Sequence, residues 1–212
     1  MHYSFNTTRF YMTVAQQPVD ISEFTLNDIH VGTRLYTALV AHALVTQGAA
    51  VFYSDILAQA KALDPHDEKL QHAVPIGIGM KLLFVESFCV ASGYPNLACL
   101  AVSRSTGRPS EGYKGDWETD RRSVAAFDWS IARAKLDAYV HDAKLVAAPK
   151  KRRSYQEAKE MRWEHYSANR PTYADLSNDE KSEILNLLIE GFQPELALQR
   201  VVEARNSVLG GQ

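Results

Sequence analysis

The most constraining stretch lies between Met80 and Ala91, where Leu82-Leu83-Phe84-Val85 and Phe88-Cys89-Val90 leave a helix almost no polar side. A helix that is apolar all round has no solvent face and must sit inside a layer of other elements. This one is therefore expected at the centre of a core, stopped by Gly93. With 212 residues, 46% of them hydrophobic, the chain can surround such a strut as one domain with a small helical appendage. Lys81 and Glu86 interrupt this window and His42 interrupts residues 35–45. Neither is then expected to reach the roughly 18–20 apolar residues of a membrane span. The opening Met1-His2-Tyr3-Ser4-Phe5-Asn6 lacks the basic-then-apolar plan of a signal peptide. Together these lead to the expectation of a cytoplasmic protein without a membrane partner. Cys89 and Cys99 lie in apolar surroundings and are expected as reduced, buried side chains.

Helices are predicted on both sides of the strut. The first twenty residues read as an arm or edge strand. Thr25-Leu26-Asn27-Asp28 starts a helix whose stripe is Ile29, Val31, Leu35, Leu39, Ala43 and Leu44, stopped by Gly48. Ser54 is read as the cap of a second helix ended by Asp64-Pro65, and residues 66–74 as a short third. Past Gly93, residues 96–103 suit a strand, and Ser105-Thr106-Gly107-Arg108-Pro109 a turn. Residues 123–128 read either as a return strand or as part of one helix from Asp120; the strand is the preferred reading. Ser130 would then cap a helix to about Val146. Pro149 and the four cations after it make the best linker. Ser154-Tyr155-Gln156-Glu157 and Ser177-Asn178-Asp179-Glu180 are capping-box starts, and Pro194 opens a last helix after Gly191.

This order predicts a mainly α fold with a small β-hairpin or sheet (α+β): a winged helix-turn-helix-like core plus a C-terminal helical extension. The expected divisions are an arm at 1–24, the winged-helix-like domain at 25–148 and the extension at 149–212. Charge divides the chain at other points. Residues 1–99 carry 5 basic and 8 acidic side chains, residues 100–153 carry 12 and 7, and residues 154–212 carry 6 and 10. A basic middle between acidic ends is a statement about partners. The wing, residues 103–122, would place Arg104, Arg108, Lys114, Arg121 and Arg122 against phosphate, with Tyr113 and Trp117 among them. Lys150, Lys151, Arg152 and Arg153 would extend that contact. The bland alternative is a solvated loop, because Glu111, Asp116, Glu118 and Asp120 sit among the bases. The apolar strut offers base edges little beyond Lys81 and Glu86, so backbone contact is expected to outweigh sequence readout.

A family resemblance points the same way. Gly48-Ala49-Ala50-Val51-Phe52-Tyr53-Ser54-Asp55-Ile56-Leu57-Ala58 resembles the opening of the DNA-binding domain of alkylguanine-DNA alkyltransferases and their catalytically silent relatives. Ile78-Gly79-Met80 stands at that family's helix start. Tyr94-Pro95-Asn96-Leu97-Ala98-Cys99-Leu100-Ala101-Val102, followed by Thr106-Gly107, resembles its proline–cysteine–histidine–arginine strand and glycine turn. Asn96 replaces the nucleophilic cysteine, Leu97 and Ala98 replace its companions, and Cys99 comes three positions late. The resemblance therefore implies a winged-helix-like fold in contact with duplex DNA, and no alkyl transfer.

Nothing else in the chain points to an enzyme, a cofactor or a metal. The histidines at 2, 30, 42, 66, 72, 141 and 165 form no HExxH and pair with no cysteine ligand set. The competing expectation is a protein-interaction module, a regulatory subunit or an inhibitor in a nucleic-acid-processing or defence assembly. In that reading the C-terminal helices meet a partner or a second copy, with Trp163, Tyr166 and Tyr173 as interface anchors.

Overall fold

The computed structural model describes residues 20–110, 112–131, 133–147 and 152–209. Thr25 opens helix α1 (Leu26–Thr46) by a reciprocal cap. Its hydroxyl accepts from the Asp28 N–H at 3.1 Å, and the Asp28 carboxylate accepts from the Thr25 N–H at 3.1 Å. Ile29, Val31, Leu35, Tyr36, Leu39 and Ala43 form its buried face, at helical spacing. Gln47 and Gly48 then take left-handed backbone conformations and end the helix.

Strand β1 (Val51–Phe52) leads directly into α2 (Tyr53–Leu63), which has no side-chain cap; Ser54, read as the cap from sequence, lies inside the first turn and hydrogen-bonds Asp55 at 2.9 Å. The short α3 (Glu68–Gln71) follows, and a 3-10 turn, Pro75–Gly77, feeds α4 (Ile78–Ser92). Helix α4 is the expected strut, with Leu82, Phe84, Val85, Phe88 and Cys89 buried and Gly93 left-handed at its end. It crosses α1 at Gly32, where an added Cβ would lie 2.7 Å from Phe84 and 2.8 Å from the Lys81 carbonyl. Only glycine permits that approach. One length expected from sequence is corrected: Pro75–Ser92 spans 18 residues at mean hydropathy 1.4, enough in length and composition to cross a membrane, because two charges barely lower so apolar a mean. Within the fold, the stretch is a 3-10 turn followed by α4, 44% of it buried, with α1 packed on α4.

Half of residues 96–103 is a 3-10 turn, Leu97–Leu100, with Ala101–Val102 extended as β2. Strand β2 pairs with β1 in parallel, Val51 opposite Ala101, and among the described residues of 103–122 no hairpin wing forms. The preferred return strand at 123–128 is also corrected. Helix α5 (Trp117–Ala126) occupies that region, started by Asp116, whose carboxylate accepts from the Thr119 N–H at 3.2 Å. With Glu118 and Asp120 in its first turn, α5 also carries the acidic N-terminus that a helix dipole favours. Phe127 and Trp129 then stack edge-on at 4.7 Å and join Tyr94, Tyr36, Phe88 and Tyr139 in one aromatic cluster. That cluster ties the chain to the core before α6 (Arg133–Val146). Cys89 and Cys99 are both buried free thiols, as expected.

The C-terminal helices have their own core. They are α7 (Tyr155–Ala168), α8 (Arg170–Tyr173), α9 (Asn178–Ile189) and α10 (Pro194–Leu209). The expected capping boxes are present at Ser154–Glu157 and Ser177–Glu180. Ala158, Tyr173, Ile184, Leu188, Phe192 and Val201 form the centre. This unit docks on α4 through buried charge. The Lys81 ammonium lies 3.4 Å from Asp28 of α1 and 3.3 Å from Glu183 of α9. Gly77 leaves room for the Glu183 carboxylate, which a Cβ there would meet at 2.2 Å. Asn186 adds a hydrogen bond to the His72 carbonyl at 3.1 Å.

Candidate nucleic-acid interface

After β2 the chain makes a tight loop. The Ser103 N–H donates to the Arg108 carbonyl and the Gly107 N–H to the Ser103 carbonyl, each at 2.8 Å, and Gly107 takes φ +63. The loop thereby brings Arg104 and Arg108 close to the two aromatic rings they cover. The Arg104 guanidinium lies 4.3 Å from the Phe52 ring centre, and its Nη2 donates to Asp55 at 2.8 Å and to Ser54 at 3.2 Å. Its side chain remains 64% exposed. Arg108 lies 4.5 Å from the ring centre of Trp117, and Arg121 covers the same ring at 5.0 Å. The indole itself is fixed by its N–H donating to the Cys99 carbonyl at 2.8 Å. Guanidinium groups stacked on aromatic faces keep their donors pointed outward in the ring plane and lose little hydration.

The other expected cations divide into two sets. Arg122 is exposed and bonds along its own helix, to the Glu118 carbonyl at 3.2 Å and the Thr119 hydroxyl at 3.1 Å. Lys114 and Arg152 are exposed. Arg121, by contrast, is half-buried, and its Nε donates to the Gly48 carbonyl at 3.2 Å, just past the end of α1. Arg153 is structural as well, donating to the carbonyls of Leu188 at 3.0 Å and Phe192 at 2.7 Å. Lys150 and Lys151 lie outside the described residues.

The acidic neighbours are also partly occupied. Asp116 caps α5, and the N–H of Thr119 holds its carboxyl below the usual range. Asp120 accepts from the Tyr113 hydroxyl. Burial, and then that bond, raise the Tyr113 phenol. Of the aromatic anchors expected on the C-terminal helices, Trp163 is 63% exposed, whereas Tyr173 is only 2% exposed and belongs to the core. Tyr166 is half-buried between them, with ring centres 5.5 Å from Trp163 and 5.6 Å from Tyr173. Tyr173 cannot anchor a partner, because the second cluster already encloses its ring.

Sequence reasoning missed the role of Phe52 as a platform for Arg104, because it read no strand at Val51–Phe52. It also missed a cleft of about 680 Å³ between this loop and the C-terminal helices, bordered by Tyr53, Ser103, Arg104, Asp179 and Arg205. Cys99, the nearest thiol to the loop, is fully buried, and burial raises its thiol, so it offers no accessible nucleophile. Among the described residues no group of three His, Cys, Asp or Glu side chains is placed to hold a metal. No protein-family description, curated protein or solved structure matches the chain.

Proposed function

We propose that this chain is a non-catalytic nucleic-acid-binding protein that contacts the phosphate backbone of duplex DNA through Arg104, Arg108, Lys114 and Arg122. The observation that carries the reading is the Arg108–Trp117–Arg121 stack, beside Arg104 on Phe52. Aromatic faces order these groups, and order before binding lowers the entropy cost of contact; Arg104 would exchange its Asp55 partner for phosphate. Arg121 acts as the support of the stack. Backbone contact also fits a core helix, α4, that is too enclosed to enter a groove.

The test is fluorescence anisotropy with labelled duplex and single-stranded DNA across a salt series. Binding should fall steeply with salt, with a log–log slope of about −3 to −4 for three or four phosphate contacts. The triple variant Arg104→Glu, Arg108→Glu, Arg122→Glu should abolish it, while Arg153→Ala leaves the slope unchanged. Indifference to both DNAs at 20 mM salt refutes the reading. A second reading, a protein-interaction module, is favoured by α7, where Trp163 and Tyr155 are 63% and 59% exposed on one helix. A stoichiometric protein partner lost on Trp163→Ala, with no DNA affinity, selects it.

A further inference from the structure

Helix α4 carries a stripe of Gly79, Leu82, Leu83 and Glu86 that borders a groove of about 290 Å³, closed on its far side by Ser110 and Tyr113. The four positions follow helical spacing, so they line one wall. Gly79 leaves its end of the groove open, since an added Cβ there would meet nothing within 4 Å. Glu86 is half-buried at the other end. Among the described residues no lysine, arginine or histidine nitrogen lies within 4 Å of its carboxylate. The charges near it make a cation more welcome still. Burial raises the Glu86 carboxyl, the nearby Asn96 amide opposes this, and the neighbouring Asp120 raises it again.

We propose that this groove binds a primary ammonium on an unbranched alkyl chain, with Glu86 pairing the cation and the α4 stripe holding the chain. A carboxylate half-removed from water and lacking a counter-charge gains most from a ligand that brings one. The apolar wall beside it selects methylene groups, and the volume is at the small end of ligand pockets, which excludes drug-sized molecules. This site is separate from the stacked arginines and does not depend on the nucleic-acid reading.

The experiment titrates the full chain at pH 7.5 with n-hexylamine, n-hexanol and hexanoate, by calorimetry and by amide chemical shifts. Hexylamine should saturate and move the amides of Gly79, Glu86 and Tyr113. Hexanol should bind about tenfold or more weakly, and hexanoate not at all. Glu86→Gln, which keeps the shape, should reduce hexylamine to the level of hexanol. Gly79→Leu should block both, with circular dichroism confirming that the variant is folded. Absence of hexylamine binding, equal binding of amine and alcohol, or unchanged amine affinity in Glu86→Gln each overturns the proposal. The wild-type comparison of three probes and the isosteric variant decide it even if Gly79→Leu does not fold.

Discussion

Glu190→Gln should remove a pH dependence of stability that the fold builds in at the junction of its two cores. Glu190 closes the C-terminal end of α9 and is 7% exposed. It faces Asp28 of α1, Lys81 of α4 and Glu183 of its own helix, with Lys69, His72 and Arg152 lining the same cavity. Burial, and then the charge of Asp28, push its carboxyl from 4.5 up to about 7, against the pull of Lys81. The folded chain thus holds this proton more tightly than the unfolded chain does. The resulting stabilisation is complete below pH 4.5 and is lost as pH rises through about 7. At ~1.4 kcal/mol per tenfold change in proton affinity, the loss is about 3 kcal/mol. Urea unfolding followed by tryptophan fluorescence at half-unit steps from pH 4.5 to 8.5 measures it. Glutamine keeps the shape and cannot ionise, so the variant should lack this part of the fall, keeping only what the raised Glu86 carboxyl adds, and match or exceed the wild type above pH 7.5. Asp67 does not confuse the window: burial opposes ionisation there, but hydrogen bonds from His30 and Arg34 hold its carboxyl at about 2, so its contribution disappears only in strong acid. Parallel profiles for the two proteins would refute the reasoning.

Two further outcomes follow from local geometry. Gly79→Ala places a methyl group in open space inside a helix and should raise stability by about 0.5–1 kcal/mol, whereas Gly77→Ala drives a Cβ into the Glu183 carboxylate and should cost about 1–3 kcal/mol; thermal unfolding of the pair reads the opposite signs. Arg153→Ala removes the two hydrogen bonds to the Leu188 and Phe192 carbonyls and should cost about 2 kcal/mol by urea unfolding.

Helices whose start signals are local were legible in the sequence. Thr25, Ser154 and Ser177 each carry their partner three residues on, so cap and helix can be read within four positions. The buried face of α4 was legible for a similar reason, since so apolar a helix must enter the core, but its open face at Gly79, Leu83 and Glu86 was not. The segment 117–126 misled because its apolar residues are few and its short run Val124-Ala125-Ala126-Phe127 mimics a strand. Its cap at Asp116 was readable. Its anchorage was not: Trp117 reaches back to the Cys99 carbonyl, and Gly48 packs against Ala125 from a helix far upstream. The same distance hid the sheet, because β1 and β2 pair in parallel across residues 53–100, whereas sequence reading looked for a neighbour to fold back.

The candidate site shows why counting cations overstates a basic surface. Arg152 and Arg153 are adjacent and chemically identical, yet one is exposed and the other is bonded to carbonyls 35 and 39 residues away. Arg121 and Arg122 divide in the same manner, Arg121 bonding to the Gly48 carbonyl 73 residues upstream. In both pairs the inward arginine meets carbonyls at or just beyond the end of a helix, where the backbone lacks its own donors and the dipole favours a cation. Each helix ending within reach of a basic segment can therefore withdraw one guanidinium from the surface. Sequence gives the number of arginines and the number of helix ends, but only the packing of α5 on α1, and of residues 152–153 on α9, decides which cation each end takes.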